Sequence, residues 1–273
     1  MMKIFYQGEP GCFSYIAAQK IFANTEKKGV GSFEEVVERV LSERDSIGIL
    51  PMENTLIGKI SSNYDLLLRY PVKVIGEVKI RVNFYLMTLP EVVPNKIKQV
   101  WSHPAALEQC KEFISEKGYE PVAIYDTAGG AKLLRKNRRE NVAILADKSV
   151  AERYKLKIID RDIEDNDNNY TRFFVISNRK KRLKKGGKIK TSIVFGVKNA
   201  PGILFKCLSA FALRNINLCS IESRPIHGKP WEYLFFIDFE GDLKEERCKM
   251  AIEGLKEIVN FIKILGTYGS SEE

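Results

Sequence analysis

The stretch Asn168-Asn169-Tyr170-Thr171-Arg172-Phe173-Phe174-Val175-Ile176 is a polar triplet that runs straight into a Thr-Arg pair and then an apolar strand. A hydroxyl and a guanidinium at the entrance to a strand suit an anionic ligand with a leaving hydroxyl. Thr171 is equally a good β-former at a strand start, so the segment gains meaning only from what lies on either side. Before it the chain has the pattern of a two-lobed α/β unit. After it comes a basic run, residues 179–190, and then a separate small domain.

The chain has 273 residues, of which 44% are hydrophobic, enough for about two cores. Its net charge of +9 would ordinarily raise nucleic acid or a membrane surface as partners. Residues 179–190 (RKKRLKKGGKIK) contain eight of the basic residues and no acid, which leaves 36 basic against 35 acidic residues elsewhere. The excess is therefore local, as in a solvated linker, with phosphate binding or localisation as the sharper alternative, and neither a nucleic-acid nor a membrane partner is expected. Cys12, Cys110, Cys207, Cys219 and Cys248 are scattered and form no C-x-x-C pair, so a reducing cytoplasm is expected, with no disulfide framework and no zinc site. The two histidines, His103 and His227, stand far apart. No cofactor or metal is expected.

Taken in order, Lys3-Ile4-Phe5-Tyr6 predicts a strand, followed by the turn Gln7-Gly8-Glu9-Pro10-Gly11 and a helix from Ser14 to about Phe22. This G-E-P-G is not a dinucleotide fingerprint, and no Walker lysine follows it. Phe33 to Ser42 carries its apolar residues on one helical face, and Ser46–Leu50 is a buried strand ending in Pro51-Met52-Glu53-Asn54-Thr55. Polar side chains just beyond the carboxyl end of such a strand occupy the usual ligand position of an open α/β sheet. Two strands between Val72 and Leu89 lead into a second lobe, where the same grammar repeats: Val100-Trp101 into Ser102-His103-Pro104, Val122–Tyr125 into Asp126-Thr127-Ala128-Gly129-Gly130, and Val142–Leu145 into Asp147. Ser102 and Thr127 are expected to cap the helices that follow, and several helix N-termini would converge on one crevice and favour a small anion. Past the basic run, residues 191–268 alternate strand, helix, strand, strand, helix, strand, the order of a ferredoxin-like βαββαβ domain. That domain carries no evident catalytic constellation, which suggests binding or assembly.

Taken together, Gly8-Glu9-Pro10-Gly11-x-Phe13-Ser14, Pro51-Met52-Glu53-Asn54-Thr55-x-x-Gly58, Ser102-His103-Pro104, Asp126-Thr127-Ala128, Asn169-Tyr170-Thr171-Arg172-Phe173, Pro201-Gly202 and Ile221-Glu222-Ser223-Arg224-Pro225 resemble, in order and spacing, prephenate dehydratase with a C-terminal ACT regulatory domain. The resemblance implies an α/β fold, with a two-lobed catalytic domain like a type II periplasmic binding protein over residues 1–178. A linker (179–190) and the ACT domain (191–273) complete it. It implies the decarboxylative dehydration of prephenate to phenylpyruvate, with no metal or redox cofactor. The absence of an N-terminal helical segment suggests a monofunctional enzyme.

The resemblance places catalysis on Thr171, with Asn54 and Glu53, and substrate binding on Ser14, Ser102, Thr127, Arg172 and Phe173. The ring carboxylate loses its charge as it leaves, so neutral donors such as Asn54, Ser14, Ser102 and Thr127 suit it better than a cation. Arg172 could hold the persistent carboxylate or brace the lobes through Glu53, and the bracing role is the expected one. L-Phenylalanine, as allosteric effector of a homodimer or homotetramer, would bind at Pro201, Gly202, Ile203 and Leu204 together with Asn217, Leu218, Glu222, Ser223 and Arg224. Ala105 stands where the family usually has glutamine, Gly129-Gly130 where alanines are usual, and Ile203 and Cys219 where alanine and threonine are commoner. Two other readings stay open: an arogenate dehydratase, which performs the same chemistry on the transaminated substrate, and a catalytically silent phenylalanine sensor.

Overall fold

The computed structural model describes residues 2–179, 183, 187–225 and 232–270. Much of the basic run, including Lys180, Lys181, Lys184 and Lys185, lies outside the described residues, as does His227. The chain resolves into two compact units. One runs to Asn63 and resumes over Lys79–Phe173; the other comprises Tyr64–Val78 and the chain from Phe174 onward.

The elements, in chain order, are β1 (Lys3–Gln7), α1 (Phe13–Ile21), β2 (Glu26–Val30), α2 (Phe33–Ser42), β3 (Ser46–Asn54), β4 (Gly58–Lys59), α3 (Ser61–Arg69) and β5 (Lys73–Arg81). The second lobe of the first unit holds β6 (Tyr85–Thr88), β7 (Gln99–Ser102), α4 (Pro104–Gln109), α5 (Lys111–Glu116), β8 (Glu120–Ala123), α6 (Thr127–Asn137), β9 (Val142–Ala146), α7 (Lys148–Tyr154) and β10 (Lys157–Asp160). β11 (Tyr170–Ser177) leads out of the first unit. The C-terminal domain is β12 (Ile189–Lys198), α8 (Ile203–Ala212), β13 (Leu218–Pro225), β14 (Glu232–Glu240), α9 (Glu246–Lys256) and β15 (Phe261–Gly269).

In the first lobe the sheet order is β2-β1-β3-β11-β5, with β4 paired to β3. β1 runs parallel to both neighbours, Phe5 facing Lys28 on one side and Gly48 on the other. β3 is an almost continuously buried strand because its residues Ile47, Ile49, Leu50 and Met52 are covered on both faces. α2 starts where the Ser32 hydroxyl accepts from Glu35 N–H, and it buries Val36, Val37 and Val40. Each such apolar side chain is worth roughly 1.5–3 kcal/mol when fully removed from water. β2 was not expected from the sequence: its residues EKKGV are polar and mostly exposed, which is characteristic of an edge strand that shows no apolar alternation.

The second lobe has the order β10-β6-β9-β7-β8, with β7 parallel to β8 and β9. It is entered and left through two crossover segments, joined where Phe84 N–H donates to the Glu164 carboxylate and Val82 N–H to the Asn169 carbonyl. The helical stretch after β7 is broken at Cys110 into α4 and α5. The Gln109 carbonyl, which would accept from the next turn, instead accepts from Asp165 N–H of the crossover at 2.8 Å.

The second unit contains the expected βαββαβ domain, an antiparallel sheet of order β13-β14-β12-β15. Its core includes Phe195, Phe211, Phe239, Ile237 and Leu255, buried between the sheet and the helices α8 and α9. The same unit holds the greater part of α3 and β5. Tyr64 packs edge-on against Phe236, and Arg224 pairs with Asp65 at 2.7 Å. Lys263 Nζ donates to the carbonyls of Leu67, Leu68 and Tyr70, closing the carboxyl end of α3 with a positive charge.

Gly266 of β15 lies against the Val74 backbone, and a methyl group there would overlap the Val74 carbonyl oxygen. Gly266→Ala should therefore lower unfolding stability by about 1–3 kcal/mol. Gly254→Ala in α9, where the nearest atom stands at 4.0 Å, should be neutral or stabilising by about 0.5–1 kcal/mol. Denaturant midpoints of the two variants against the parent check the pair.

Candidate functional site

A cavity of about 410 Å³ opens between the two lobes of the first unit, at the carboxyl ends of β1, β3, β7 and β8. β3 delivers Asn54 to its wall, and β11 delivers Thr171 and Phe173. Asn54 is 5% exposed and uses its whole amide. Its Oδ1 accepts from Leu56 N–H (2.9 Å) and Ile57 N–H (3.0 Å), closing the turn after β3. Its Nδ2 donates to Asn169 Oδ1 (2.7 Å) and to Thr171 Oγ1 (3.0 Å). The Thr171 oxygen is thus an acceptor on one side, which leaves its O–H to donate elsewhere and makes it a better donor.

The chain of amides continues. Asn169, fully buried, donates to Gln109 Oε1 at 3.1 Å. Gln109 also lines the cavity. Sequence reasoning missed it, having looked for the amide at Ala105; position 109, one helical turn further along α4, was the place to look. Thr55 Oγ1 donates to the Asn168 carbonyl and accepts from Tyr170 N–H, so β3 and the polar triplet are tied together just outside the cavity.

Ser14, in the first turn of α1, and Thr127, in the first turn of α6, are both buried and both line the cavity. Thr127 does not cap α6. Asp126 does, accepting from Gly129 N–H at 2.6 Å through Oδ1 and from Glu9 N–H at 3.0 Å through Oδ2. Gly8 adopts φ +105°, and a side chain there would be strained and would crowd Asp126 Oδ2. The expectation that Ser102 caps α4 is also corrected, and Ser102 is not among the residues that line the cavity. His103 Nδ1 accepts from Ala105 N–H, while Ser102 is fully buried and donates to the Leu145 carbonyl at 2.7 Å, holding β7 to β9.

Glu53 and Arg172 face away from the cavity, since side chains alternate along a strand and their neighbours Asn54, Thr171 and Phe173 take the inward positions. They pair with each other at 3.5 Å on adjacent strands, so the expected clasp lies within one sheet and does not join the lobes. Burial raises the Cys12 thiol to about 12 and also raises the Tyr125 phenol. The part of the His103 ring turned inward lowers its pKa, opposed by Asp126. These groups are therefore neutral near pH 7. Among the described residues, no lysine or arginine lines the cavity and no three metal-binding side chains cluster. No helix among the described residues is long and apolar enough to cross a membrane.

In the second unit, Gly202 occupies the N-cap of α8 at φ +72°, with open space where a side chain would project. Pro201 and Gly202 are exposed, as are Asn217 and Ser223, and Ile203, Leu204, Leu218 and Glu222 are half-buried. Arg224, paired with Asp65, is turned towards α3.

A family model described as prephenate dehydratase matches residues 4–181, and one described as ACT domain matches residues 191–256. The chain is 38% identical over 98% of its length to the arogenate dehydratase/prephenate dehydratase 2 of Arabidopsis thaliana, covering 72% of that protein. Among solved structures, the prephenate dehydratase of Arthrobacter aurescens in complex with L-Phe superposes with a TM-score of 0.89 at 27% identity, over 98% of this chain and 89% of that one. GqqA, described as a novel type of quorum quenching acylase, superposes at 0.90 with 30% identity, over 98% of each chain.

If Glu53 serves only the pair with Arg172, Glu53→Gln should change kcat/KM by less than about threefold, the range of a partly exposed ion pair. A loss above a hundredfold in the steady-state assay would return it to the chemistry.

Proposed function

The chain belongs to the prephenate dehydratase family, and on that premise we propose the following division of labour for its reaction, the decarboxylative dehydration of prephenate to phenylpyruvate. Thr171 is the donor to the departing ring hydroxyl, and Asn54 is the group that aims it. The observation that carries this reading is the 3.0 Å bond from Asn54 Nδ2 to Thr171 Oγ1 at the cavity wall. As the ring carboxylate leaves as carbon dioxide, its electron pair enters the ring and expels the hydroxyl, which needs a proton or a strong hydrogen bond at that moment. A neutral hydroxyl in a largely desolvated cleft supplies it without stabilising the charged ground state.

Ser14, Thr127 and the free amide hydrogens of Gln109 are the neutral donors available to the substrate, with Phe173 against the ring. Support for this comes from their common position on the cavity lining. Glu53 and Arg172 brace β3 against β11. The free state of all five cysteines fits a reducing compartment, and we place the enzyme in the cytoplasm. Residues 1–178 are the catalytic part, 179–190 a connector, and 191–273 the regulatory part.

The effector in this proposal is L-phenylalanine, the molecule bound in the Arthrobacter aurescens structure. It would enter at Pro201, Gly202, Ile203 and Leu204, opposite Asn217, Leu218, Glu222 and Ser223, with its carboxylate at the amino end of α8. Phe205 and Leu213 of that domain are 75% and 80% exposed, and Ile221 on the edge strand β13 is exposed too, which favours pairing with a second copy. We therefore read the enzyme as a homo-oligomer of even number.

Thr171→Ala should lower kcat for phenylpyruvate formation by roughly two or more powers of ten, while Thr171→Ser, which keeps the hydroxyl, should lose far less. Near-native turnover in the alanine variant would remove the assignment. Gly202→Val, strained at positive φ and filling the open space, should abolish inhibition by phenylalanine while leaving basal turnover intact. Calorimetric titration together with inhibition curves reads both effects.

A further inference from the structure

Asp126 is a charged group of the cleft to which the reaction as described gives no part. The residue is part of the cavity lining and is 6% exposed. Its two partners, Glu9 N–H and Gly129 N–H, are neutral backbone donors. A carboxylate offers about four acceptor positions, so these two bonds leave about half of its capacity unfilled. Among the described residues no ion pair to Asp126 is formed, and Lys132 is bound to the Glu9 carboxylate at 2.6 Å. The other ionisable side chains of the lining, Cys12, His103 and Tyr125, are neutral near pH 7.

Prephenate brings two carboxylates into this cleft. A buried carboxylate there repels them and offers its remaining lone pairs no donor. The transaminated form of the same molecule carries an ammonium beside the persistent carboxylate, where prephenate carries a ketone. That ammonium provides hydrogen-bond donors and a positive charge in one group.

We propose that Asp126 is a specificity-determining residue that reads the α-carbon of the substrate's three-carbon side chain and favours the ammonium of arogenate over the ketone of prephenate. The proposal rests on the dehydratase reading above. The bonds broken are the same: the ring carboxylate leaves as carbon dioxide, its electron pair aromatises the ring, and the hydroxyl leaves with one proton as water. The ammonium is untouched and the product is phenylalanine. Asp126 touches the substrate without joining the bond changes.

The test is kcat/KM of the full-length enzyme for arogenate and for prephenate, in the parent, Asp126→Ser and Asp126→Asn. Both replacements are good N-caps, so α6 keeps its start, and the two together guard against one failing to fold. The parent should prefer arogenate by roughly tenfold or more, in the range of a charge-assisted hydrogen bond, and each variant should bring the ratio of the two substrates towards one. A parent that prefers prephenate, or variants that lower both values by the same factor, would overturn the proposal and leave Asp126 as a cap and a tie to Glu9. Turnover of neither substrate by the parent would remove the dehydratase reading itself, a result distinct from an unchanged ratio.

Discussion

The amide of Asn54 is the fixed point of the catalytic unit. Its four hydrogen bonds close the turn after β3, hold the Asn168–Tyr170 crossover against that turn and orient the Thr171 hydroxyl. Each bond contributes little net stability, on the order of 1 kcal/mol, but a buried amide left with one bond unmade costs more. The arrangement is therefore close to all-or-none. Through Asn169 it extends to Gln109 of α4, so both lobes help to set the direction of one hydroxyl. Such geometry is established by folding, before any ligand arrives.

The cleft is unusual in the sign of its charge. An enzyme for a doubly negative substrate would be expected to line its pocket with cations, yet the described lining has none, and its carboxylate belongs to Asp126. Neutral donors avoid overbinding a carboxylate that must leave as a neutral gas. Whether the remaining charge discriminates between substrates is a matter of what stands at the side-chain α-carbon, and the two possible groups there differ by a full unit of charge.

Much of this was legible in the residues. Asn54, Thr171 and Phe173 stood at strand ends with the alternation that turns one set of side chains inward, and the βαββαβ order of the second domain followed from its apolar periods. The errors have physical causes. Capping depends on which of two adjacent residues has extended backbone and a reachable N–H, so Asp126 displaced Thr127, and the His103 ring nitrogen took the place expected of the Ser102 hydroxyl. Glu53 lies next to Asn54 in sequence but on the opposite side of the strand, a parity that composition does not reveal. Gln109 was overlooked because its partner is Asn169, sixty residues away. β2 lacked any apolar pattern, and the break at Cys110 is imposed by Asp165 of the crossover.

The capture of Tyr64–Val78 by the C-terminal unit has a bearing on how this chain can be cut and rejoined. Compactness divides it at three peptide bonds, after Asn63, after Val78 and after Phe173, and none of them lies in the basic run. Scission within that run would not release two self-contained pieces. The N-terminal fragment would retain α3 with its last carbonyls stripped of Lys263, and Tyr64 and Val74 would lose Phe236 and Gly266. Recombination that exchanges regulatory halves between relatives at the linker must therefore match residues 64–78 as well. A graft would have to carry two separated segments of sequence to remain one body.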